Sequence, residues 1–211
     1  MATAGDPVRV GVVASYARPG GNVTGVTLYG SELNAKRIEL FREAIPAIER
    51  IAFLGNAKNL YSKLLWEDAE PAARALGLEP LLFSLQDLGD LPTTFVEMKK
   101  QSNALIVFSD ALFNNARQQI IALAAEHNLP AMYEAREFVH DGGLISYGPD
   151  TVEMTRRSAA FVDKVLKGTS PADLPIEQPT RFELAINTKS AKALGLSLPP
   201  ILLARADEVI E

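Results

Sequence analysis

The sequence predicts an α/β fold built on a doubly wound parallel sheet, and three observations carry that prediction. From about residue 50, short apolar runs alternate with longer amphipathic ones. The short runs are nearly continuous in apolar residues, as suits strands buried on both faces. Each is followed by a helix-length segment, the βαβ order that produces a parallel sheet covered on both sides.

The strand candidates are 51–54, 80–83, 104–108, 131–133 and 144–146, with helices expected over 61–76, 90–101, 112–127 and 136–140. In the third helix Phe113, Ala116, Ile120 and Leu123 fall on one face. Upstream, Asp6 followed by Pro7 reads as an N-cap with proline at N1, opening a helix over 7–18. Pro19-Gly20-Gly21-Asn22 makes a tight turn into a strand over 23–28. Ser31 then caps a helix to about 44, with Ile38, Phe41 and Ile45 along one face. Downstream, Asp150 and Glu153 form an acidic first turn for a helix ending at Lys167, with Gly168 as its C-cap. Pro171, Pro175 and Pro179 make 169–180 an extended linker, followed by a strand over 182–186 and helices near 188–194 and 200–210.

Composition narrows the function classes. The 211 residues carry a net charge of −5, with 47% hydrophobic and 22% charged, which is ordinary for a globular chain. That length is at the lower edge of what two α/β lobes need. Cationic runs are no longer than pairs such as Lys99-Lys100, so a nucleic-acid footprint is not expected. The absence of cysteine removes disulfides, thiol nucleophiles and thiolate metal sites. No apolar run reaches the length of a membrane span, and the first seven residues do not read as a signal sequence.

In open α/β sheets, ligands bind beyond the carboxyl ends of the strands. The residues there are polar: Asn56, Asn59 and Tyr61 after the first strand, Ser109, Asp110 and Phe113 after the third, Tyr133 and Arg136 at the fourth, and Tyr147 and Gly148 at the fifth. Together they offer amides, a hydroxyl, an acid, a guanidinium and aromatic faces, an inventory suited to a small polar solute with charged ends. Asn56, Ser109 and Asp110 equally suit the N-caps of the helices that follow, and capping is compatible with binding. Phe113 and Tyr133 also fit core positions, whereas Arg136 has the planar fork that grips a carboxylate. His127 and His140 have no partners at metal-ligand spacing, and neither a nucleophile elbow nor a Walker sequence occurs. The run Gly20-Gly21-Asn22-Val23-Thr24-Gly25 lacks the strand and helix context of a dinucleotide fingerprint. The chain therefore reads as a non-enzymatic binder with no cofactor and no metal.

Longer strings sharpen this. Ala17-Arg18-Pro19-Gly20-Gly21-Asn22-Val23-Thr24-Gly25-Val26, Leu129-Pro130-Ala131-Met132-Tyr133 and Gly142-Gly143-Leu144-Ile145-Ser146-Tyr147-Gly148-Pro149-Asp150, with Glu177-Gln178-Pro179-Thr180, resemble the ABC transporter substrate-binding proteins related to tryptophan/tyrosine import lipoproteins. The resemblance covers essentially the whole chain. It implies a type I periplasmic-binding fold of two lobes, an amino-acid-like or other small polar solute, a membrane permease as partner and a periplasmic or extracytoplasmic location. An alternative on the same fold is a sensory or regulatory effector-binding domain. The resemblance also implies that most of lobe one is missing: residues 1–30 would be its remnant of helix and strand, 31–148 lobe two, 149–180 a return helix and Pro-rich linker, and 181–211 a strand and helices packing back on lobe two. Valines 10, 13, 23 and 26 would then be exposed, so homo-oligomerisation through that remnant and weak ligand affinity are expected.

Overall fold

The computed structural model describes residues 5–27 and 31–211. Within them the order is α1 (Ser31–Ala44), β1 (Arg50–Asn56), α2 (Leu60–Ala75), β2 (Glu79–Leu85), α3 (Leu91–Gln101), β3 (Ala104–Val107), α4 (Ala111–Asn115), α5 (Arg117–Glu126), β4 (Ala131–Tyr133), α6 (Arg136–His140), β5 (Ile145–Pro149), α7 (Thr151–Leu166), β6 (Phe182–Asn187), α8 (Thr188–Ala193), α9 (Pro200–Arg205) and β7 (Glu208–Ile210). The strands form one sheet in the order β2-β1-β3-β4-β5-β6-β7. β1 pairs in parallel with β2 and β3, β3 with β4, β4 with β5, and β6 with β7. Pro80 is tolerated because β2 is an edge strand, where a missing N–H breaks no second ladder.

Alternate strand residues feed two cores. Ile51, Phe53, Ile106, Met132 and Ile145 join α1, α2, α8 and α9 in one apolar cluster. Their neighbours Ala52, Leu54, Leu105, Val107 and Tyr133 join α3, α4, α5 and α6 in another. This two-sided burial is the doubly wound arrangement that near-continuous apolar strands require.

The structure departs from the sequence pattern at two helices outside the N-terminal segment. The helix expected over 112–127 is divided at Ala116, whose φ of −95° and ψ of 12° leave the helical region. The helix expected over 200–210 stops at Arg205: Ala206 is extended at φ −68° and ψ 136°, and 208–210 pair with β6 instead. An open sheet edge satisfies those backbone groups as well as a helix would, and β-branched Val209 and Ile210 suit a strand.

The chain divides into two compact units, Met1–Ser31 with Pro149–Phe182, and Glu32–Gly148 with Glu183–Glu211. In the first unit the helix expected over 7–18 is a single turn. Asp6 Oδ1 accepts from the amides of Val8 and Arg9, both at 3.1 Å, as an N-cap does. Gly11 then takes a left-handed φ of +75° and ends the turn. The strand expected over 23–28 reduces to a parallel bridge between Val26 and Glu177; residue 28 and the side chain of Ser31, the expected cap of α1, lie outside the described residues.

The return segment covers Val26, one of the four valines expected to be exposed. Val26 packs with Met154, Phe161 and Leu174, and Thr24 Oγ1 donates to the Leu174 carbonyl at 2.8 Å. Val13 and Val26 are buried, while Val10 and Val23 are half-buried. The exposed apolar side chains of this unit include Val162 and Leu166 on α7, at 57% and 81% exposure. Asp150 caps α7 through bonds of 3.0 Å from the Val152 and Glu153 amides. Asp150→Ala should therefore cost about 1 kcal/mol, read as a lower midpoint in urea unfolding followed by circular dichroism.

Candidate functional site

The helix after β1 packs on one face of the sheet and the helix after β3 on the other, so the winding reverses between these adjacent strands. Such a reversal opens a crevice at the carboxyl ends, where α/β sheets bind ligands. Three polar side chains meet there. Asn56 Nδ2 donates to Asp110 Oδ2 at 3.0 Å, and Asn59 Nδ2 donates to the same oxygen at 2.8 Å. The Leu112 amide donates to Oδ1 at 2.8 Å, so Asp110 also caps α4.

Both amides are fixed in orientation. Asn56 Oδ1 accepts from the Lys58 amide at 2.9 Å, and Asn59 Oδ1 from the Tyr61 amide at 3.0 Å. With their carbonyl oxygens occupied, their NH₂ groups have to face Asp110. Ser62 Oγ, accepting from the Asn56 amide at 2.9 Å, anchors the loop from beneath. Asp110 is 7% exposed, and among the described residues no lysine, arginine or histidine pairs with it. A pocket of about 270 Å³ lies alongside, lined by Asn56, Lys58, Gln86, Asp87, Leu88 and Leu112. A buried acid ringed by neutral donors, at the edge of a polar pocket, can receive one small cationic group.

Comparison with known proteins gives this geometry a context. The family model described as ABC transporter substrate binding protein matches residues 1–210. The chain belongs to this family. It is 26% identical over 211 residues to the tyrosine-binding protein of Clostridioides difficile (strain R20291), a match covering 99% of this chain and 61% of that relative. It thus spans less than two thirds of that relative's length. It superimposes on the ABC domain from Streptococcus pneumonia in complex with L-Trp with a TM-score of 0.93 and 27% identity, covering 100% of this chain and 70% of that one. A periplasmic binding ribose operon repressor protein from Lactobacillus acidophilus shares the fold at a TM-score of 0.51 and 14% identity, over 75% of this chain and 63% of that one. The fold is thus that of type I periplasmic-binding-like proteins.

Within this family member, the other residues expected at the site are placed unevenly. Ser109 is half-buried beside Asp110, and Tyr61 and Tyr147 are half-buried against the first apolar cluster. Phe113 and Tyr133 are corrections: at 0% and 1% exposure they are core residues with no surface to offer a ligand. Tyr133 stacks on Phe138 at 4.5 Å between ring centroids, and burial pushes its phenol pKa upward. Arg136 is engaged by Glu183, its Nη1 donating at 3.1 Å, rather than held open for a carboxylate. Gly148 serves clearance: a Cβ there would stand 2.1 Å from the Glu134 carbonyl oxygen.

Three polar residues outside the expected set, Asn34, Arg37 and Glu134, also meet near this edge, Glu134 from the polar stretch that follows the fourth strand. Arg37 is 3% exposed on α1, with Nε donating to the Tyr147 carbonyl at 2.7 Å and Nη1 to Asn34 Oδ1 at 3.1 Å. The available signal was its spacing: Leu33, Arg37, Phe41 and Ala44 form one helical stripe in which an arginine is out of place. Two further features are absent among the described residues: a cluster of three or more metal-ligating side chains, and a helix long and apolar enough to cross a membrane.

Proposed function

We propose that this protein is the solute-recognising component of an ABC importer and binds an amino-acid-like zwitterion at the carboxyl ends of β1 and β3. The observation that carries this reading is Asp110: a carboxylate 7% exposed, surrounded by three neutral donors and with no cation paired to it among the described residues. Burying an uncompensated carboxylate is costly, and a ligand ammonium relieves that cost when it binds. The tyrosine-binding relative and the L-Trp complex support an aromatic amino acid as the solute class. The reading carries with it a non-enzymatic role, an extracytoplasmic location and a membrane permease as partner.

Ligand-observed NMR tests the ammonium assignment by comparing L-tyrosine with its deaminated counterpart, 3-(4-hydroxyphenyl)propionate. Tyrosine is expected to bind at least ten times more tightly; equal affinities would overturn the assignment. Self-association belongs to the same proposal, now through the exposed α7 residues Val162 and Leu166. Sedimentation velocity should give a mass above the 22.8 kDa of one chain, and a monomer at high micromolar concentration would remove this part.

A further inference from the structure

Glu134 immediately follows β4, on the same carboxyl edge of the sheet as Asp110. Its side chain is 13% exposed, and among the described residues it accepts no hydrogen bond. Its neighbour is the buried guanidinium of Arg37, whose Nη2 lies 3.7 Å from Glu134 Oε2. Nη2 itself is buried and has no hydrogen-bond acceptor among the described residues. Arg37 is held in place by its other two nitrogens, through the Tyr147 carbonyl and Asn34. Asn34 is anchored in turn by its Nδ2 donating to the Leu65 carbonyl at 3.3 Å. Gly148 leaves the space that Glu134 occupies, since a Cβ would stand 3.1 Å from Glu134 Cγ as well as against its carbonyl oxygen.

The two acids on this edge therefore differ in kind. Asp110 has donors but no counter-charge, whereas Glu134 has a counter-charge but no donors. A carboxylate whose charge is already compensated gains little from a second cation, but its lone pairs still require donors. We infer that Glu134 is a specificity-determining residue that accepts a hydrogen bond from a neutral donor on the ligand's aromatic ring, with Arg37 as the positioning residue that keeps it oriented. A phenol O–H and an indole N–H both supply such a donor, and a phenyl ring supplies none. This inference rests on the amino-acid reading above and goes beyond it by naming the chemistry at the far end of the solute.

The test is titration of the full chain and of Glu134→Leu with L-tyrosine, L-tryptophan and L-phenylalanine. In the unaltered chain the ring donor should give a preference of roughly ten- to a hundred-fold over phenylalanine, and whichever ratio is larger identifies phenol or indole as the source. In Glu134→Leu that preference should fall below about threefold while phenylalanine affinity changes little. Because Glu134→Leu leaves Arg37 buried without its partner, the double variant Arg37→Met/Glu134→Leu is measured alongside and should show the same loss of preference. An unchanged preference, or an equal weakening of all three ligands, would overturn the role of Glu134 while leaving the amino-acid reading intact. Failure of all three to bind the unaltered chain would overturn both.

Discussion

Asp110→Asn should lose amino-acid binding by a hundredfold or more and also destabilise the fold, because the geometry around this side chain accepts only a carboxylate. Three donors point at it, two amides on Oδ2 and the Leu112 backbone N–H on Oδ1. An asparagine has one oxygen to offer. If that oxygen caps Leu112, its NH₂ faces the NH₂ groups of Asn56 and Asn59, which cannot turn over because their own oxygens are committed to Lys58 and Tyr61 amides. If it turns the other way, the Leu112 amide loses its cap. Either choice leaves a buried donor unsatisfied at about 1–3 kcal/mol, measurable as a lower urea midpoint. The ligand ammonium meanwhile loses its counter-charge, an interaction worth about 2–5 kcal/mol when desolvated, and NMR titration with tyrosine reads that loss directly.

Gly148→Ala should be the most damaging single-methyl change on this edge of the sheet. The added Cβ would lie 2.1 Å from the Glu134 carbonyl oxygen and 3.0 Å from its carbonyl carbon. These are backbone atoms, so no rotamer change relieves the contact, and β4 and β5 would have to separate where Tyr133 pairs with Ser146. Overpacking of this sort costs about 3 kcal/mol or more. Thermal unfolding should show the loss. The same shift would displace Glu134 from Arg37, so any selectivity for a ring donor should decline in protein that still folds.

How much of this was legible in the sequence follows from where the information resides. The βαβ rhythm is local, and it leads to the two-sided sheet through strands such as 51–54 and 104–107. Asn59 and Asp110 were legible because the residues that cap α2 and α4 are residues that meet at the crevice, and Asn56 because it ends β1; the cap expected at Asn56 falls to Asn59, and the one expected at Ser109 to Asp110. Phe113 and Tyr133 follow strand ends as well, but whether a ring turns into the core or outward depends on helices packed later in the chain. Arg37 stands out as an arginine on the apolar stripe of α1, but it lies far from Glu134 in sequence and the two meet only through the parallel pairing of β4 and β5, so their pairing is not visible without the sheet order. The turn at 7–11 fails to grow into a helix because of one left-handed glycine, Gly11. The strand at 208–210 exists only because β6 offers an open edge. Both outcomes are set by tertiary context that composition and periodicity do not carry.

An amino acid's ammonium docked on Asp110 would sit between the Asn56 and Asn59 side chains. The side-chain amide signals of those two asparagines, followed by ¹⁵N–¹H NMR during titration with L-tyrosine, test it most directly. Saturable shifts concentrated on these two NH₂ groups are expected, absent with 3-(4-hydroxyphenyl)propionate and absent in Asp110→Asn. Saturable binding that leaves both signals in place, with shifts instead around the small cavity of about 110 Å³ lined by Asn128 and Ser190 at the opposite edge of the sheet, would contradict it.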